Sequence, residues 1–219
     1  MTMLSTGFES LNLSIGGLLK GRVNTLLCDT PYARTYFIWS VVSSCLKKGG
    51  LVYYIDLDTM FTAFLEQEAR PTFPLDDLVV FNPDRGEIQD VLSQICSVRL
   101  HGPDLVVFDS VTVFYHLFEA RVGFGEINRM LGVCLSLLQS FASRMNTAVL
   151  VSSLTRAKKL KAPGRSLWSP SYPGGRVLTK RSELILSLKS GLGYIDVRVV
   201  KHPTPSIQGI VCRLPLSEA

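Results

Sequence analysis

Several absences narrow what this chain can be. Histidine is scarce: His101, His116 and His202 stand alone, without a neighbour at metal-ligand spacing, so structural or surface roles are expected for them. Cys28, Cys45, Cys96, Cys134 and Cys212 are odd in number and scattered, with no C-x-x-C, which indicates neither a disulfide framework nor a zinc site. A reducing compartment is expected, cytoplasmic or, in a eukaryotic cell, nuclear. Long apolar runs are lacking too. The most apolar helical stretch, 130–141, is short and broken by Ser136 and Gln139, and the opening MTMLSTGFES has no charged region followed by an apolar run. Neither secretion nor a membrane partner is expected. No G-x-S-x-G surrounds Ser110 or Ser152, which removes the hydrolase elbow. Finally, acids are missing from one long span: between Ile127 and Ser182 there is no Asp or Glu.

What is present reads as one folded domain over residues 1–219. The 219 residues are 47% hydrophobic, enough for a substantial core, and the formal net charge of +5 favours an anionic partner. Apolar runs at 23–29, 51–58, 76–83, 103–110 and 147–154 read as strands. Helical patterns at 35–50, 59–69, 86–100 and 126–144 lie between them. This alternation predicts an α/β fold, a mostly parallel twisted sheet flanked by helices. Runs at 183–189, 194–201 and 208–214 predict an antiparallel edge at the carboxyl end. The segment 156–175 has no sustained period and is rich in Lys, Arg, Pro, Ser and Gly, which predicts a long mobile loop. Met130 and the leucines at 131, 135, 137 and 138 read as core.

The first strand and the helix after it frame the segment Cys28-Asp-Thr-Pro-Tyr-Ala-Arg34-Thr35, the strand-loop-helix setting of a phosphate-binding loop. Against G-x-x-x-x-G-K-[ST], only Thr35 matches outright. Cys28 and Ala33 stand at the two glycines, where a Cβ obstructs the close approach of backbone amides to phosphate. Arg34 stands at the lysine and replaces a compact ammonium with a wide planar fork. The run PDLVVFDS (103–110) ends in Asp109, the form of a Walker B strand whose carboxylate holds magnesium through water.

With the opening STGFESLNLSIGG (5–17) and the tail from PGGRVLTKRSELILSLKSG (173–191) to YIDVRVVKHPTPS (194–206), the order of motifs resembles the core of the RecA/RadA recombinase family and its RadB-like and KaiC-like paralogues. The resemblance covers nearly the whole chain. It implies a P-loop NTPase core in which Thr35 and Asp109 would coordinate magnesium and Asp58 would stand at the water-activating glutamate. Ser152-Ser153 would replace a polar pair whose glutamine senses the terminal phosphate. Loss of the lysine, both glycines and the sensor should affect turnover more than binding, since phosphoryl transfer depends on positioning and charge stabilisation. No cofactor is required on this reading, and ATP with magnesium would bind weakly if at all. Asp56, Asp58 and Asp109 also have a plainer reading, as strand-end carboxylates capping turns or the next helix.

The acid-free span carries Arg129, Arg144, Arg156, Lys158, Lys159, Lys161, Arg165, Arg176, Lys180 and Arg181, with Trp168 and Tyr172 among them. Cations for phosphates and rings for base stacking are the two parts of a single-strand binding surface. In the family resembled, the segment after the strand that follows Walker B, here the strand at 147–154, is a DNA-binding loop. Three functions follow. The first is a non-catalytic accessory factor in homologous recombination and DNA repair, binding single-stranded or branched DNA and a RecA-family recombinase or another paralogue. The second is a slow ATPase using Arg34 for lysine, and the third a structural assembly subunit. The core motif begins at about Ser5, which leaves no room for the segment by which such recombinases polymerise, so a monomer or small oligomer is expected.

Overall fold

A computed structural model describes residues 2–69, 71–162 and 165–216, with the side chains of all of these except 68–69 and 156–170. The chain opens with β1 (Met3–Leu4), α1 (Glu9–Ile15) and β2 (Leu18–Leu19). The alternating region follows: β3 (Val23–Cys28), α2 (Pro31–Leu46), β4 (Val52–Asp56), α3 (Met60–Phe64) running into a π-helical turn at Leu65–Ala69, β5 (Leu78–Phe81), α4 (Ile88–Ser97) and β6 (Leu105–Asp109). Then come α5 (Val111–Glu119), α6 (Phe124–Met145), β7 (Ala148–Leu154), β8 (Arg156–Ala162), β9 (Arg165–Ser171) and α7 (Gly175–Arg181). Strands β10 (Leu184–Ser190), β11 (Tyr194–Lys201) and β12 (Val211–Pro215) finish it.

Eight strands form the main sheet in the order β12-β11-β10-β3-β7-β6-β4-β5. All pairings from β10 to β5 are parallel, while β11 runs antiparallel to both β10 and β12. The expected antiparallel edge is therefore β11 with β12, and β10 belongs to the parallel body because it lies beside β3. Central strands are buried on both faces, which is why β3 and β6 are continuous apolar or small-residue runs rather than alternating ones. Period-two geometry splits them between two cores. Leu26, Val107 and Leu150 face α2 with Phe37 and Val41, whereas Leu27, Phe108 and Val151 face α5 and α6 with Phe114, Leu135 and Leu138. Leu137, expected in the core, is 45% exposed because it falls on the outer face of α6.

Local chemistry explains the boundaries that differ from the sequence reading. Helix α2 starts at Pro31, not 35: Thr30 is its N-cap and accepts from the Ala33 N–H, and proline at the first position fits a helix start. Helix α5 was not expected, since VTVFYHLFE is β-branched and aromatic. Its start is fixed by Ser110, whose hydroxyl accepts from the Val113 N–H. The opening Thr-Gly-Phe has a structural task as well. Gly7 adopts φ +84°, and a Cβ there would run into Ser40 of α2.

The segment expected to be an irregular loop is instead a hairpin. Strands β8 and β9 pair antiparallel from Arg156↔Ser171 to Ala162↔Arg165, as a two-stranded sheet separate from the main one. The sequence carries one hint of it, a Pro-Gly pair between two segments of equal length, set among polar residues that show no strand period. Beyond the hairpin, α7 packs on α6, with Gly174 close against Leu131 and Val111.

Candidate functional site

The parallel body brings the carboxyl ends of β3, β4, β6 and β7 together, the place where open α/β sheets bind ligands. The register sets Asp56 beside Asp109 and Phe108 beside Val151, so Ser152, two residues before the end of β7, lies level with Asp109 at the end of β6. Into this head of the sheet comes Arg34, in the first turns of α2. Its side chain is fully buried, with Nη2 3.1 Å from Asp58 Oδ2 and Nε 3.3 Å from Asp109 Oδ1. The contact to Asp58 is a hydrogen bond, whereas Nε is close enough to Asp109 for an ion pair but off line for a bond, and Nη1 has no acceptor.

Asp109 is wholly buried, and its two oxygens are taken from within. Tyr54 Oη donates to Oδ2 at 2.6 Å, and Ser152 Oγ donates to Oδ1 in a very short contact. Burial pushes the Asp109 carboxyl above the usual carboxylate range, against the pull of Arg34, Ser152 and Tyr54. For Arg34 burial works against the charge, but Asp109 and then Asp58 outweigh it and the guanidinium is shifted upward. Burial also drives up the Tyr54 phenol, with the Asp109 charge next in effect, and it drives up the Cys28 thiol. Asp56 turns away to its own partners, the N–H and hydroxyl of Thr62, and burial raises its carboxyl too. Asp58 Oδ1 accepts from the Met60 N–H. The plainer reading of the strand-end acids thus holds for Asp56 and partly for Asp58, which bond the turn and helix that follow.

The residues of the altered loop occupy a different geometry from a phosphate cradle. Cys28 is the last residue of β3, and only Asp29 and Thr30 separate it from α2. Thr30 uses the Ala33 N–H for its own cap, and the Asp29 carboxylate accepts from the N–H and hydroxyl of Ser190. The two-residue turn thus carries a carboxylate, which repels phosphate, rather than a row of free backbone donors. Thr35 is buried, its hydroxyl without a hydrogen-bond partner, on the wall of a cavity of about 380 Å³ shared with Pro31, Tyr32, Met60 and Phe64. Ser153 lies 3.4 Å from the Thr112 hydroxyl rather than facing Asp109. These residues do not fit a magnesium-bound nucleotide: the Asp109 oxygens are already engaged, a guanidinium lies between Asp109 and Asp58, and the short turn presents Asp29. Among the described residues no group of three or more His, Cys, Asp or Glu is arranged to hold a metal ion.

The structure also gathers part of the basic set. Tyr172, Arg176 and Lys180 line a shallow groove of about 450 Å³ along α7, with Ser171, Gly175 and Thr179. Arg181 ends the same helix and is exposed. The side chains of Arg156, Lys158, Lys159, Lys161, Arg165 and Trp168 lie outside those described. Sequence reasoning missed Tyr54, Asp29 and Lys201, whose Nζ donates to the carbonyls of Thr179 and Ser182 at the end of α7. Tyr54 had a legible signal, since it lies two residues before Asp56 on a strand beside β6. No helix among the described residues is long and apolar enough to cross a membrane.

Comparison with known proteins agrees with this architecture. A family model described as the RecA N-terminal domain matches residues 1–187. Protein RecA of Chlamydia trachomatis serovar D is 27% identical over 225 residues, covering 92% of this chain and 61% of that protein. Protein RecA of Rhodospirillum rubrum is 30% identical over 166 residues, covering 71% of this chain and 43% of that one. The chain spans about three-fifths of the length of the Chlamydia relative it matches. The crystal structure of the RadB recombinase superposes with a TM-score of 0.72 at 24% identity, covering 99% of this chain and 97% of that one, and shows the same fold. With strands, helices and sheet-end acids in the order that the motifs implied, and a family model spanning residues 1–187, the chain belongs to the RecA family.

Proposed function

We propose that this chain is an accessory member of the family in homologous recombination and DNA repair, binding single-stranded or branched DNA and a RecA-family recombinase or another paralogue, and working without ATP turnover. The observation that carries the reading is the position of Arg34 between Asp109 and Asp58. Turnover needs a metal and a terminal phosphate held where charge develops. Here the charge of both acids is met by a side chain.

DNA binding is supported by the exposed cations of α7, the groove beside Tyr172, and the acid-free sequence of the hairpin. Family membership supports a binding partner from the same family. The testing experiment is fluorescence anisotropy of labelled single-stranded DNA over a salt series. An affinity that falls steadily with salt supports the reading. An affinity too weak to measure at low salt would turn it toward a structural assembly role.

A further inference from the structure

Resting on that reading, we propose that Arg34 is a built-in cation: its guanidinium does permanently, for Asp109 and Asp58, what a bound metal would otherwise have to do, and the core is therefore complete without metal or nucleotide. Three observations converge on it. Arg34 is among the largest fully buried side chains of the protein, so its charge must be met inside. It sits in the opening turns of α2, where the helix dipole disfavours a cation, so the carboxylates have to supply the compensation. And the acids it meets end β6 and follow β4, so the ion pairs tie α2 to two strands at the head of the sheet. Guanidinium is charged at every accessible pH, which makes the arrangement permanent rather than switchable.

The dependence runs both ways. Removing Arg34 alone leaves Asp109 buried with only two hydroxyl donors, an uncompensated charge. Removing both charges leaves Tyr54 and Ser152 free to rotate their hydroxyls toward a neutral amide.

The test is thermal unfolding of the whole chain as wild type, Arg34→Met and Arg34→Met/Asp109→Asn, each with EDTA, with magnesium chloride and with magnesium and ATP. Methionine keeps much of the side-chain volume and removes the charge. The single variant should melt lower by roughly 6–20 °C, and the double variant should recover at least half of that loss. The wild-type midpoint should be the same in all three solutions. A single variant that melts like wild type, a double variant no better than the single, or a wild-type midpoint raised by magnesium or magnesium ATP would each overturn the proposal. If Arg34→Met does not fold, soluble double variant still supports it and an unfolded double variant refutes it. These readouts are independent of DNA affinity, so the accessory-factor reading can fail while the built-in cation stands, and the reverse.

Discussion

Tyr54→Phe isolates a single bond in the buried cluster. Phenylalanine keeps the ring, which stacks on Phe61 with centroids 3.8 Å apart, and removes only the hydroxyl that donates to Asp109 at 2.6 Å. No sizeable cavity is created, so the effect should be that of one hydrogen bond to a charged acceptor, about 1.5–3 kcal/mol. For a chain of 219 residues, unfolding entropy near 2.1 cal/mol/K per residue converts this to a fall in Tm of about 3–7 °C. Urea unfolding followed by circular dichroism measures it directly, and the same substitution in an Asp109→Asn background completes a double-mutant cycle. There the cost should shrink by about 1 kcal/mol or more, because the charged acceptor is gone. A Tyr54→Phe protein as stable as wild type would refute the reasoning, as would a cost that is the same in both backgrounds.

Other consequences concern DNA and pH. Changing Arg176, Lys180 and Arg181 to Ala should weaken single-stranded DNA binding and flatten its salt dependence by up to roughly 0.7 slope units per lost contact; an unchanged affinity would move the site away from α7. Trp168→Ala should instead cost about 1–3 kcal/mol with the salt slope kept, as stacking predicts. For Asp56, burial raises the carboxyl in the folded state, so above its folded pKa the ionised form costs stability. Asp56→Asn, which can still accept from Thr62, should therefore raise Tm at pH 8, with the advantage shrinking as pH falls through the raised pKa and on toward ordinary carboxylate values; an advantage that grows in acid would contradict this.

The fold was largely legible because its strands are short apolar runs between helical periods, and the parallel body follows from their alternation. Helix α5 escaped because its residues favour strands and only the Ser110 cap reveals it. The hairpin escaped because its polar residues carry no apolar period, leaving only the Pro-Gly signal. The site was legible in part. Arg34, Asp58 and Asp109 were singled out by motif position, yet nothing in one dimension says that the arginine turns inward to pair with the two acids. Contact between residues 24 and 75 positions apart, as in the Arg34 pairs, depends on how α2 docks on the sheet. Tyr54, Ser152 and Asp29 acquire their roles in the same way.

The burial of Asp109 also decides which control is informative. Asp109→Ala would strand Arg34 without its main partner and confuse loss of chemistry with loss of folding, whereas Asp58 is 20% exposed at its side chain and less embedded. The central claim is that charges within the chain fill the head of the sheet and that the protein works without turnover. The most direct measurement is ATP hydrolysis by wild type and Asp58→Ala, in magnesium with saturating single-stranded DNA. The two should be indistinguishable and at background. Robust wild-type hydrolysis that disappears in Asp58→Ala would contradict the account and return the chain to the ATP-driven enzymes.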